Sequence, residues 1–156
     1  MGRMILCAAA LLVFCGVSAF AQKTELNLIK PVIADRDLVI PVAEVNENAI
    51  FYPVDIQGVR LEVIAVKAPD GTIRTAFNTC QVCYRSGRGF YKQQGNLLVC
   101  QNCGNRFRMS QVEKRSGGCN PVPIFGANKT VDEQNITISR DFLIKAKEIF
   151  ANWSRG

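Results

Sequence analysis

Five cysteines carry whatever chemistry this chain performs: Cys80, Cys83, Cys100, Cys103 and Cys119. The first four form two Cys-x2-Cys pairs separated by sixteen residues, and Cys119 follows after fifteen more. Two residues between cysteines make a tight turn that aims both sulfurs at one point. A second such turn completes a four-thiolate tetrahedron, so the doubled pair is a metal or cluster signature. The spacing selects the site but not the metal. Thiolate-bound iron, an iron–sulfur cluster and zinc all suit it. The expected geometry is convergence of Cys80, Cys83, Cys100 and Cys103 on one centre. Cys119 is expected to approach it closely enough to replace one of the four.

The chain has no histidine. That removes c-type haem attachment, blue copper, Rieske centres and Cys-His or Ser-His catalysis. Any metal is held chiefly by sulfur. No group is set up for substrate turnover, so a redox carrier is expected rather than an enzyme. Between Cys80 and Cys119 lie Arg85, Arg88, Lys92, Arg106, Arg108, Lys114 and Arg115, opposed only by Glu113. Nearby cations favour the deprotonated sulfur, although most such charges serve simply as solvated loop residues. Gly104 after Cys103 lets the second turn bend. Gly117-Gly118 before Cys119 permits close backbone approach, and Asn120-Pro121 turns the chain away. Met109 reads as a gap-filling hydrophobe rather than a copper ligand. Two alternatives to a metal stand beside this reading. A disulfide staple suits an exported chain, but bonds within Cys-x2-Cys pairs close only tiny loops. A thiol–disulfide redox protein is the other.

Residues 1–21 read as an export signal. Arg3 supplies the positive start, Met4 to Phe20 is apolar or small, and Ala19-Phe20-Ala21 gives a small-x-small cleavage pattern. An uncleaved N-terminal anchor is the alternative. Lipidation at Cys15 is disfavoured by the bulk of Phe14. Cleavage removes Cys7 and Cys15 and leaves an odd five cysteines. Residues 22–156 suit a single domain, periplasmic or secreted. The whole chain carries a net charge of +6. Export argues against nucleic acid, and an anionic membrane surface or an acidic partner is the better match.

The elements that must position the thiols follow from patterning. Leu38 to Val45 is strand-like, with Pro41 marking an edge. Ala49 to Ile56 is a second strand, broken by Pro53. Val59 to Lys67 alternates, with Val59, Leu61, Val63 and Ala65 on one face and Arg60 and Glu62 starting the other. Pro69-Asp70-Gly71 turns the chain, and Thr72 to Thr79 returns it to Cys80. From there to about residue 124 glycine, cysteine and basic residues dominate, with only Asn96 to Cys100 strand-like. Asn135 to Ser139 is a last strand. Ser139 caps a helix whose Phe142, Ala146, Ile149, Phe150 and Trp153 share one face. Gln22 to about Arg36 reads as a lead-in without periodicity. The expected fold is α+β: a small antiparallel β domain with a cysteine-rich loop region, residues 80–124, and a C-terminal helix.

The run from Ile73 to Pro123 resembles the FtrD-like family of membrane-associated iron–sulfur proteins. The similarity rests on Cys80-Gln81-Val82-Cys83, Phe90-Tyr91, Val99-Cys100-Gln101-Asn102-Cys103-Gly104 and Gly117-Gly118-Cys119-Asn120-Pro121-Val122-Pro123. Upstream, Val39-Ile40-Pro41, Phe51-Tyr52 and Asp70-Gly71 also fit. The resemblance implies a ferredoxin-like component of a bacterial iron-uptake system, working with an iron permease, a periplasmic iron-binding protein and a cupredoxin-like redox partner. Many members carry transmembrane helices, whereas this chain has only its N-terminal apolar segment.

Overall fold

A computed structural model describes residues 36–155 and, before them, Val32 and Ile33. The export segment and most of the lead-in lie outside the described residues. The strands are β1 (Val32–Ile33), β2 (Leu38–Pro41), β3 (Ile50–Ile56), β4 (Val59–Lys67), β5 (Ile73–Cys80), β6 (Tyr91–Gln94), β7 (Leu97–Cys100), β8 (Arg106–Arg108), β9 (Pro121–Pro123), β10 (Lys129–Val131) and β11 (Asn135–Ile138), followed by helix α1 (Arg140–Lys145). They form three sheets: β1-β3-β4-β5-β9, β10-β11-β2 and β6-β7-β8. Every pairing is antiparallel except β1 with β3. This is a small α+β domain with one short C-terminal helix. Among the described residues no helix is long and apolar enough to cross a membrane.

The five-stranded sheet is buried on both faces. One face presents Leu61, Val63, Ala65 and Phe77 to a core closed by Leu38, Ile40, Ile136, Ile138, Leu143 and Phe150. The other presents Ile64, Val66, Ala76 and Cys80 to a second core built from the cysteine region, including Tyr91, Leu98, Cys100, Phe107 and Val112. The period-two pattern places the strands correctly, but the face begun by Arg60 and Glu62 does not end in water. Glu62, Arg74 and Asn78 are all buried. Each is paired, as burial of polar groups demands. Arg74 bonds Asp70 and the Ser110 carbonyl. Glu62 accepts from Asn78 and pairs with Arg155.

Two expectations change in detail. Pro53 does not break its strand, because the flanking pairs Tyr52–Val63 and Val54–Leu61 are buried and carry the ladder past it. The cysteine region is more ordered than its composition indicates: β6 and β8 flank β7 in a meander. Their alternation is hidden because the exposed face is arginine, lysine and glutamine.

The C-terminal segment starts as read. The Ser139 hydroxyl accepts from the Phe142 N–H, and Asp141 lies in the first turn. The helix is six residues long and then tightens to a 3₁₀ segment over Ala146–Phe150, a common way of ending a helix. The aromatic stripe still works as a seal. Phe77 contacts Phe142 and Phe150, each at a ring separation of 5.7 Å. Trp153 touches Phe150 and Phe90. Burying such a side chain contributes roughly 1.5–3 kcal/mol. The chain then crosses to the cysteine side. Trp153 donates its indole N–H to the Asn78 carbonyl at 2.9 Å, and the Ser154 N–H meets the Gly87 carbonyl at 2.9 Å.

Asn78 joins the two sides. Its side-chain oxygen accepts the Tyr91 N–H at 2.7 Å, and its amide nitrogen donates to Glu62 and to the Tyr91 carbonyl. Replacing Asn78 with Ala strands a buried N–H and a buried carboxylate. We predict a loss of about 2–4 kcal/mol in denaturant unfolding. A cost near zero would show that water replaces these bonds.

Candidate metal centre

Three separate turns supply the thiols. β5 delivers Cys80, whose N–H is held by the Gly89 carbonyl at 2.7 Å. The chain then turns through Cys83 into a 3₁₀ segment at Tyr84–Ser86. The Ser86 N–H and hydroxyl both donate to the Cys83 carbonyl. Gly89 packs directly against this turn. A Cβ there would stand 2.8 Å from the Cys83 carbonyl carbon, so no other residue fits without displacing it.

The second turn connects β7 to β8. The Cys100 N–H donates to the Asn105 carbonyl, and the Gly104 N–H to the Cys100 carbonyl, each at 2.9 Å. Cys103 sits exposed at the tip of this turn. The third turn carries Cys119. Gly117 and Gly118 have φ of 90° and 66°, and nothing lies within 4 Å of a Cβ on either. These glycines supply the left-handed backbone conformation that the turn requires.

Gln81, inside the first Cys-x2-Cys, ties this third turn to the first. Its side-chain oxygen accepts the Gly117 N–H at 2.8 Å and the Ser116 hydroxyl at 3.2 Å. Its own N–H donates to the Asn120 carbonyl at 3.0 Å. The Cys119 carbonyl accepts from Asn105 at 2.7 Å and from the Tyr91 hydroxyl at 2.8 Å. Residue chemistry alone did not assign Gln81, Tyr91 or Asn105 a role. Gln81 and Asn105 lie in or beside the cysteine motifs, and that proximity was the available signal, whereas Tyr91 is brought there by its strand pairing with Cys100.

The sulfurs of Cys80, Cys83, Cys103 and Cys119 all lie within 4.8 Å of one another. This group differs from the doubled-pair set in one member, holding Cys119 where Cys100 was expected. The reason is strand geometry. Leu98 and Cys100 are alternate residues of β7 and share its buried face, opposite β6. Cys103, in a turn, is free of that constraint. Cys100 remains adjacent, in the same buried cluster as Cys80 and Cys83.

The crowded thiols shift one another's acidity. The Asn105 N–H points at the Cys103 sulfur, and with help from the Cys100, Cys83 and Cys119 thiols it brings the pKa down to about 7. Cys119, donating to Cys103, is pushed up to about 12. Burial pushes Cys100 up to about 12 as well, and raises Cys83. Burial also opposes ionisation of Cys80, but the Tyr91 hydroxyl and the Val82 and Cys83 amides outweigh it and lower its pKa. A phenol has one proton, and the 2.8 Å contact gives it to the Cys119 carbonyl, with the Cys80 sulfur competing for it. Burial, reinforced by Cys80, raises the Tyr91 pKa and keeps it a donor.

Four thiolates suit a soft or borderline ion. Around a tetrahedral ion with metal–sulfur bonds of about 2.3 Å they stand about 3.8 Å apart, so sulfurs within 4.8 Å need only a small adjustment. The donor set equally suits an iron–sulfur cluster, but a cluster spreads its thiolates around several iron ions and asks for wider separations.

Fold and site together define a small α+β protein with a cysteine cluster able to bind metal. A family model described as "Membrane iron-sulfur containing protein FtrD-like" matches residues 45–150, and the chain belongs to that family. No curated protein and no solved structure matches the chain.

Among the five described cysteines of the metal-free, reduced protein, Cys103 alone is both exposed and easily ionised. Limited iodoacetamide treatment should therefore label Cys103 first, with a rate that rises as pH passes through about 7 and then levels off. Peptide mass spectrometry reads the site. Preferential labelling of Cys100 or Cys119 would contradict the described cluster.

Proposed function

We propose that Cys80, Cys83, Cys103 and Cys119 hold one thiolate-bound iron ion that carries single electrons. Its physiological setting is iron transport across the cell envelope. The observation that carries this reading is the mutual approach of the four sulfurs within 4.8 Å. The family description supports iron as the metal. Bound iron would supply one-electron chemistry, while the chain supplies position and charge. Cys80 and Cys83 are buried and anchor the ion. Cys103 is exposed and marks the edge through which electrons pass.

Cys100 stands as a fifth thiol behind Cys103, within reach of ligand exchange. The partners that suit such a carrier are an iron permease and periplasmic iron-binding or redox proteins. Export to the periplasm, or retention by an uncleaved N-terminal anchor, would place it beside them. A structural zinc site is the second reading. The same spacing favours it, since zinc and iron place four thiolates alike.

Anaerobic purification followed by metal and acid-labile sulfide analysis separates the possibilities. Iron without sulfide is the expected result. Iron with sulfide would replace the single ion by a cluster, and colourless zinc would remove the redox function. Absence of metal would leave a thiol–disulfide protein. We further predict that Cys119→Ser lowers metal content and shifts the thiolate-to-metal absorption, whereas Cys100→Ser retains both. The opposite pattern would restore the doubled-pair ligand set.

A further inference from the structure

Beside the exposed edge of the thiolate cluster lies a groove of about 430 Å³ lined by Asn105, Arg106, Phe107, Arg108, Gln111, Arg115 and Asn120. Arg106 and Arg108 reach it because they flank buried Phe107 in β8 and so project to the same side. Arg115 and Asn120 come from the loop that carries Cys119. The groove borders the cluster through Asn105 and Asn120: the Asn105 side chain holds the Cys119 carbonyl at 2.7 Å, and Asn120 follows Cys119 in the chain.

The three arginines lack carboxylate partners. The ion pairs among the described residues are Arg74–Asp70, Lys114–Asp70, Lys129–Glu113 and Arg155–Glu62. Glu113, the one acid between Cys80 and Cys119, is turned away. It accepts the Thr75 N–H and pairs with Lys129. Three arginines thus line one concave space, and among the described residues no carboxylate lines it or pairs with them, although Arg108 also borders a second hollow that Glu47 lines. Guanidinium matches planar carboxylate bidentately, and the volume is that of a small-ligand site.

We propose that this groove binds a small polycarboxylate anion next to Cys103 and Cys119. The thiolates themselves do not account for these arginines. Among the described residues the hydrogen bonds donated by arginines go to Thr72, Ser110, Asp70, Tyr84 and Glu62, and none goes to a cysteine sulfur. An extended acidic protein segment would need a broader basic surface than a pocket of this size. The inference goes beyond the metal reading and holds whichever metal the thiolates carry.

The test is isothermal titration of the full-length protein, as purified, with citrate, inorganic phosphate and a hexaglutamate peptide in parallel. Citrate should bind saturably and at least about tenfold more tightly than the other two. The Arg106→Gln/Arg108→Gln double variant should weaken citrate binding by about tenfold or more while keeping metal content and absorption unchanged. Arg88→Gln, which removes the same kind of charge outside the groove, should leave citrate binding intact. Absence of saturable citrate binding would overturn the proposal, as would equal weakening by Arg88→Gln. Tighter binding of hexaglutamate would reassign the surface to an acidic protein partner, and tighter phosphate binding to a phosphate ligand. A double variant that binds citrate normally but alters the absorption would show that the arginines serve the thiolates alone.

Discussion

The hydrogen bonds of Asn78 pin together the two halves of the domain at the centre of their shared packing. On one side is a sheet with its own apolar core, and on the other is a cysteine-rich meander with a second core. Asn78 sits fully buried in β5 between them. Its amide holds Tyr91 and Glu62, and its carbonyl holds Trp153. The Glu62 carboxylate is answered by Arg155, which also lies over the rings of Phe51 and Phe90. A buried network of this kind is costly if any member is removed, because the others lose their partners in a low-dielectric setting. Tyr91 then extends the network to the thiols through its hydroxyl.

The cysteine cluster depends on that support because its own turns contain little apolar material. Each turn is held by hydrogen bonds to a neighbour: Gly89 to Cys80, Asn105 to Cys100 and Cys119, and Gln81 to the Gly117–Asn120 loop. Cys103, the exposed one of the five described thiols, has its pKa drawn down to about 7, chiefly by the Asn105 N–H. Metal binding would replace the protons of the four converging thiols and relieve the conflict among them, a coupling expected of thiolate sites. The unpaired arginines then stand outside the cluster, on the solvent side of the same edge.

Much of the framework was legible before any coordinates. Alternation in Val59 to Lys67, the Pro69-Asp70-Gly71 turn and the Ser139 cap all depend on interactions within a few residues, and each appears where the pattern puts it. The meander was not legible, since β6 and β8 are short and their exposed positions are polar or charged. Nor was the burial of Glu62 and Asn78. A charged residue on an alternating strand reads as solvent-facing unless something distant covers it.

The sequence by itself determined the chemistry: sulfur ligands, no imidazole, two tight cysteine pairs and a fifth cysteine behind two glycines. Those are properties of residue type and local spacing. Which four sulfurs meet was decided by tertiary structure. Cys100 has the spacing of a ligand, but it ends a strand whose buried face its side chain must follow. Cys119 is remote in sequence, and the Gln81, Asn105 and Tyr91 bonds bring its loop over the first turn. Local spacing sets what a pair of turns can do. Strand register and long-range hydrogen bonds set which way each side chain faces, and no periodicity in the sequence encodes them.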